Sequence, residues 1–134
     1  MLKYGRPSPF RYERKDMPQI KLSVFDEFKT WSKLDVSVVE IETSSLCPTQ
    51  IDFNDDKIVK MVKRIEQKDP SFKGTILISK DGYVLDGHHR WIAHLNADVG
   101  NIMFHQLDAT AEETFLLMKK FANTIIQDLN DENT

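Results

Sequence analysis

The sequence predicts one α+β domain: a small mixed sheet containing a hairpin, flanked by helices, with a long helix at the C-terminal end. Apolar residues recur at helical spacing in several segments, and β-branched strands lie between them. An Asp-Gly pair between two short apolar strands predicts the hairpin. The length of 134 residues suits a single domain, and 40% apolar with 29% charged residues excludes disorder over the whole chain.

The elements of the first half follow from periodicity and from turn residues. Apolar side chains at helical spacing lie between Pro18 and Asp35, and strict alternation follows them. A run of polar residues is then interrupted by Pro48, and Asp69-Pro70 ends the next helix. The predicted elements are a helix over 22–34, a strand over 36–42, a loop over 43–50 and a helix from Asn54 or Asp55 to about 68.

The second half contains the hairpin and two further helices. Apolar residues at 115, 118, 121, 122, 125 and 129 place one face of the last helix in the core. The predicted elements are a strand over 74–79, a turn at 80–82, a strand over 83–85, a helix over 87–96, a strand over 102–107 and a helix over 111–129.

Charge is concentrated at the two ends of a chain whose net charge is −3. Residues 1–17 are predicted to form a basic, extended arm before the domain at 18–130, and residues 131–134 an acidic tail. Such an arm can bind a nucleic-acid backbone, or it can clamp onto its own domain or onto a partner subunit. The cations that would bind DNA are Arg6, Arg11, Arg14 and Lys15.

Cysteine usage and hydropathy restrict the class of protein further. A single cysteine, Cys47, excludes an internal disulfide and a four-cysteine zinc site. Apolar runs are too short for a membrane span, and the N-terminus lacks the apolar stretch of a signal peptide. We therefore expect a cytoplasmic protein with no membrane partner.

The densest group of chemical side chains lies where the hairpin passes into a helix. Asp86-Gly87 ends a strand, and His88, His89 and Arg90 begin the helix. A helix N-terminus leaves backbone N–H groups unpaired, and a glycine there lets a ligand approach them. The sequence therefore predicts an anion site, for which phosphate is the commonest ligand.

Other interpretations of these residues stay open. His88 is also compatible with a satisfied core histidine, and Asp86 with an ordinary helix cap. Structural zinc is not expected, because His89 and His94 are five residues apart and only His105 is available nearby. Magnesium held by Asp86 together with ligand phosphates fits better, since magnesium relies on few carboxylates.

The motif Asp-Gly-His-His-Arg-Trp over 86–91 resembles that of the ParB/sulfiredoxin-like superfamily, over roughly residues 38–107. The residues of the motif are most similar to those of free serine kinases and of phage proteins in the ParB-like nuclease group. Segments 46–50 and 17–20 also look like the phage group. The resemblance implies a ParB-like fold and a phage-encoded protein.

The resemblance also implies roles for individual residues. Gly87 and Arg90 match the positions that cradle nucleotide phosphate, and His89 stands where ParB has an arginine. His88 replaces the sulfiredoxin cysteine, so sulfinate repair is not expected. Glu42, or its neighbour Glu40, would correspond to the glutamate that takes a proton from the acceptor hydroxyl in the serine kinases.

The leading prediction is a phosphotransferase or nucleotide phosphohydrolase that uses ATP, ADP or CTP, with magnesium, and a hydroxyl-bearing acceptor or water. His88 or Glu42 would be the general base, and Asp86 would position the metal or the acceptor. The remaining ligand contacts would come from Gly87, His89, Arg90, Thr49 and Gln50.

Two alternatives come from other classes of protein. The basic arm and the anion site could together bind or cleave DNA, as in a ParB-like nuclease accessory protein. The chain could also be a structural or regulatory component without catalysis, in which the long last helix mediates self-association into a homo-oligomer. Whether the protein is an enzyme is therefore left open by the sequence.

Overall fold

The computed structural model describes residues 2–8, 25–72 and 74–132, with side chains described as far as residue 122. The α+β class is confirmed within these ranges. The elements are α1 (Phe25–Ser32), β1 (Val36–Glu42), a 3-10 turn (Thr43–Ser45), β2 (Cys47–Pro48), α2 (Asp55–Glu66), β3 (Leu77–Ser79), β4 (Tyr83–Asp86), α3 (His88–Asn96), β5 (Asn101–Leu107) and α4 (Ala111–Glu132).

The strands of the described residues form one mixed sheet in the order β1-β5-β3-β4-β2. β1 pairs with β5 antiparallel over its whole length, and β3 and β4 form the predicted hairpin. Gly82 supplies its turn with a φ of +86°. Of the strand predicted over 74–79, only 77–79 is regular, because Gly74 and Thr75 lie against the start of α3 instead.

The segment predicted as a loop over 43–50 contains the short strand β2. Cys47 and Pro48 pair in parallel with Tyr83 and Val84 of β4. Two residues are too few to show an alternating pattern, so this strand was not predicted. The pairing matters because it brings the chain after Pro48 to the beginning of α3.

Apolar clusters cover the two faces of the sheet. α1 and α4 cover one face, with Phe28, Phe115 and Phe121, while α2 and α3 cover the other, with Ile58 and Trp91. β3 and β4 serve both clusters because alternate side chains point to opposite faces: Leu77 and Leu85 to the first, Ile78 and Val84 to the second.

The buried stripe of α4 differs from the predicted one at Ala122. Phe115, Met118 and Phe121 are buried as expected, but Ala122 is exposed. A residue next to Phe121 is rotated by about 100° around the helix, which turns it away from the core. Residues 125 and 129 lie beyond the described side chains. Nowhere in the described helices is there a stretch with the length and apolarity needed to cross a membrane.

Residues 2–8 pack onto the domain, and we call them the N-terminal strap. The amide of Lys3 donates to Oδ1 of Asn96 at 2.7 Å, and the Asn96 side chain donates back to the Lys3 carbonyl. The amide of Arg6 donates to the Leu46 carbonyl at 3.1 Å. This part of the predicted arm therefore lies against α3 and the chain that leads to β2.

Gly5 is the point at which the strap crosses Trp91. Its φ is +81°, and a Cβ placed there would lie 2.3 Å from the Trp91 ring. No side chain fits at that distance, so the close approach requires glycine. The strap and the buried face of α3 are thus fitted to each other.

We expect Gly5→Ala to detach the strap from Trp91, because the new methyl group overlaps the indole and φ is unfavourable. The free energy of unfolding should fall by about 1–3 kcal/mol. Gly82→Ala is the matched control: its φ is +86°, but among the described residues no atom lies within 4 Å of the added Cβ. Hydrogen exchange at the amides of Lys3 and Arg6 should become faster in Gly5→Ala alone. Equal effects in both variants would contradict the close packing of the strap on Trp91.

Candidate functional site

The first turn of α3 begins directly after β4. Gly87 is its N-cap residue, with a φ of +85°, and no side chain caps the turn. A Cβ at this position would lie 3.1 Å from the Thr75 carbonyl, so glycine also fits the packing against the chain before β3. The first turn contains no acidic residue, which leaves the positive end of the helix dipole without a counter-charge from the turn itself.

The two histidines of this turn hold a loop in place. Nε2 of His88 accepts the Thr49 amide at 3.1 Å, and Nε2 of His89 accepts the Asn54 amide at 3.0 Å. Both rings are buried, with 4% and 8% of their surface exposed. They therefore fasten residues 49–54, the 49–54 loop, to the N-terminus of α3 at both of its ends.

His88 is neutral in this environment. Burial, together with the neighbouring charge of His89, lowers its pKa to about 3, although a hydrogen bond with the Val84 backbone acts in the opposite direction. Its Nε2 lone pair is occupied by the Thr49 amide. Service as a general base, the role predicted from the sequence, would require release of that hydrogen bond, so the role stays a prediction.

Arg90 lies on the other side of the turn, against the chain that precedes β3. A Cβ at Gly74 would be 2.1 Å from its Cζ, so the guanidinium occupies the space that glycine leaves. Nη1 is 3.5 Å from the Thr75 carbonyl, and Nε is buried with no hydrogen-bond partner in the described residues. Such a guanidinium retains donors for a ligand.

The other predicted polar contacts fall into two groups. Thr49 is fully buried, and its hydroxyl donates to the Val84 carbonyl at 2.8 Å. The Gln50 side chain is 6% exposed and donates to the Asp52 carbonyl. Asp86 is exposed at the end of β4, directly before Gly87. Asp86 thus faces solvent, whereas the Thr49 hydroxyl and the Gln50 amide both make hydrogen bonds to the backbone in buried positions.

The structure does not bring Glu42 next to His88. Its carboxylate accepts a hydrogen bond from Ser44, and its strand, β1, lies three positions from β4 in the sheet. With neighbouring strands about 4.8 Å apart, β1 and β4 are separated by roughly 14 Å across the sheet. Its predicted role as a base at the first turn of α3 has no support in this arrangement.

A cleft of about 690 Å³ opens between the strap and the 49–54 loop. Phe53 lines it and also contacts α3: its ring centroid is 6.1 Å from that of His88 and 5.9 Å from that of His89. Tyr4 stacks on Phe53 at 5.3 Å and donates to Asp55 at 2.7 Å. The lining residues are Tyr4, Gly5, Arg6, Pro7, Ser8, Pro48, Gln50, Ile51, Asp52, Phe53 and Asp55.

The cleft and the predicted site therefore overlap only in part. Gln50 lines the cleft, and so does Arg6, which was predicted only for DNA binding. The residues of the first turn, 87–90, and Thr49 are not among the lining residues. The stacked pair of Tyr4 and Phe53 was not predicted, because residues 49 positions apart give no periodic signal. Arg11, Arg14 and Lys15 lie outside the described residues.

A metal site built from protein ligands alone does not occur within the described ranges. No group of three or more His, Cys, Asp or Glu side chains in them could hold an ion. His94 is placed in another contact, with Nδ1 2.8 Å from the Arg90 carbonyl and its ring 5.6 Å from that of Phe72. Asp86 remains the residue predicted to hold magnesium through ligand phosphates.

Comparison with known proteins gives a partial structural likeness. Neither a family model nor a curated protein matches the chain. Among solved structures, the chain is similar to a Pnob8-like ParB-N domain in its C2221 form, at 13% identity and a TM-score of 0.48. The match covers 60% of this chain and 33% of that chain, so most of the other protein lies outside it.

Proposed function

We propose that the protein binds a nucleoside phosphate in the cleft, with the phosphate directed towards the first turn of α3. The observation that carries the proposal is the double attachment of the 49–54 loop to His88 and His89. Through it, the Phe53 ring contacts the rings of His88 and His89 in the first turn of α3 and also lines the cleft. We therefore place the phosphate beside Phe53, next to the first turn of α3.

The polar groups suit a ligand with an anionic end and a hydroxyl-bearing end. The helix dipole and the Arg90 guanidinium favour negative charge at α3. Asp52 and Asp55 line the cleft and can accept hydrogen bonds from sugar hydroxyls. A volume of about 690 Å³ lies within the usual range of small-molecule sites.

Phosphoryl transfer or hydrolysis remains a prediction beyond this binding function. Such reactions depend mainly on positioning and charge stabilisation, which an anion site supplies. The two predicted bases are less favourably placed, since His88 is engaged by Thr49 and Glu42 lies on a distant strand. A hydroxyl acceptor activated by Asp86, or water, would be the substrate to examine once binding is established.

The test is calorimetric titration of the full chain with ATP, ADP and CTP at physiological salt, with and without magnesium. Saturable binding of at least one nucleotide is expected, and no binding of any would overturn the proposal. The same titration is repeated with short single-stranded and duplex DNA. DNA binding that falls steeply with salt and is not displaced by ATP would favour the DNA-binding alternative.

We expect Arg90→Ala to weaken nucleotide binding about ten- to hundred-fold, because a charge-assisted hydrogen bond contributes about 1.5–3 kcal/mol. Arg64→Ala is the matched control. Arg64 is also a helical arginine against the segment before β3, but it packs over Phe72 and pairs with Asp69 at 3.0 Å. Isothermal titration measures the nucleotide affinity of both variants. Equal affinities would show that Arg90 does not bind the ligand.

A further inference from the structure

We infer that Arg6 of the N-terminal strap binds the anionic group of the ligand, so that the strap is a wall of the binding site and not a separate arm. This inference rests on the proposed function and names a residue that supplies its specificity for phosphorylated ligands. It is carried by the fixed backbone of the strap, by the Arg6 guanidinium, which is unpaired within the described ranges, and by the charge of the cleft.

The backbone at Arg6 is fixed on both sides. Its own amide donates to the Leu46 carbonyl at 3.1 Å, and Gly5 before it is seated against the Trp91 ring. Ser8, two residues later, is 9% exposed. A side chain on such a backbone pays less entropy on binding than one on a freely moving terminus.

The guanidinium of Arg6 has no ion pair or hydrogen bond within the described part of the chain, although it lines the cleft. Lys3, on the same strap, differs in this respect, since its ammonium is 3.8 Å from Asp98. Burial raises the pKa of the Cys47 thiol, and the charge of Arg6 acts against that rise, so the two side chains are near each other. The strap thus carries Lys3, paired with Asp98 outside the cleft, and Arg6, which lines the cleft and has no partner among the residues that the structure describes.

The charge of the lining shows what Arg6 contributes. Asp52 and Asp55 are the acidic residues among the lining side chains of the described chain, and Arg6 is the basic one. Without Arg6 the cleft would repel a phosphate; with it, an anionic group has a partner on the strap side. Arginine suits phosphate particularly well because its planar donors can bind two oxygens together.

The decisive experiment compares ATP binding by wild type, Arg6→Ala, Arg6→Lys and Lys3→Ala in the full chain by isothermal titration. We expect Arg6→Ala to lose about ten- to hundred-fold in affinity, Arg6→Lys to lose less, and Lys3→Ala to stay within about two-fold of wild type. Thermal unfolding of each variant checks the fold, which an exposed side chain should not affect.

The possible failures are distinguishable. If wild type binds ATP and Arg6→Ala binds it as well as Lys3→Ala does, the role of Arg6 is wrong while the proposed function stands. If wild type binds none of ATP, ADP or CTP, the proposed function is wrong and the role of Arg6 falls with it. Equal losses in Arg6→Ala and Lys3→Ala would show a general charge effect and would also contradict a specific role for Arg6.

Discussion

Trp91→Ala is expected to lower the free energy of unfolding by about 3–5 kcal/mol, the usual cost of removing a buried aromatic side chain. Trp91 is fully buried at the centre of the cluster under α2 and α3, and its Nε1 donates to the Thr43 carbonyl at 2.9 Å. The same ring supports Gly5 of the strap. Its removal should therefore leave a cavity and release the strap together.

Trp91→Phe separates these contributions. Phenylalanine keeps most of the apolar volume but leaves the buried Thr43 carbonyl without its partner, so a smaller loss of about 1–3 kcal/mol is expected. Urea unfolding at pH 7 measures both variants. A loss below 1 kcal/mol for Trp91→Ala would show that the indole does not occupy the core in the way described.

The stability of the protein is expected to fall between pH 7 and pH 5 because of His88. Its pKa is lowered to about 3 in the folded state, whereas an unfolded histidine titrates near 6.5. Below about pH 6.5 the unfolded chain binds the proton and the folded chain does not, so stability is lost as the pH falls. For one such histidine the loss over this interval is about 2 kcal/mol.

His88→Gln is the variant that isolates this effect, since its amide oxygen can accept from Thr49 but cannot titrate in this range. Burial also lowers the pKa of His94, which therefore adds a loss of the same sign in both proteins. Asp69, with a pKa of about 2, contributes only at lower pH. Urea unfolding at pH 7 and pH 5 should show a shallower pH dependence in the variant; parallel curves would contradict a buried neutral His88.

Local patterns in the sequence were enough to predict most of the elements. β1 has the predicted bounds because alternation over 36–42 is long and strongly β-branched. α2 begins where an Asn cap was predicted: the Asn54 side chain accepts the Lys57 amide at 3.1 Å. The inward face of α3 was also predicted, with Trp91 and Ile92 fully buried.

The parts that could not be predicted depend on contacts between distant segments. The strap reaches Trp91 because Gly5 lacks a side chain, and a lone glycine near a terminus does not indicate what it will contact. His88 and His89 bind amides 39 and 35 positions away, so their use in holding a loop has no local signal. Local sequence patterns thus predicted candidate groups at the start of α3, but not the strap and the 49–54 loop that line the cleft.

The most direct measurement is an NMR titration of the full chain with ATP, following the backbone amides of His88, His89 and Arg90. The account predicts saturable shifts at these three amides and at Phe53, with those of Glu112 and Glu113, at the start of α4, unchanged. Saturable binding that leaves the first turn of α3 unperturbed, or no binding at all, would contradict it.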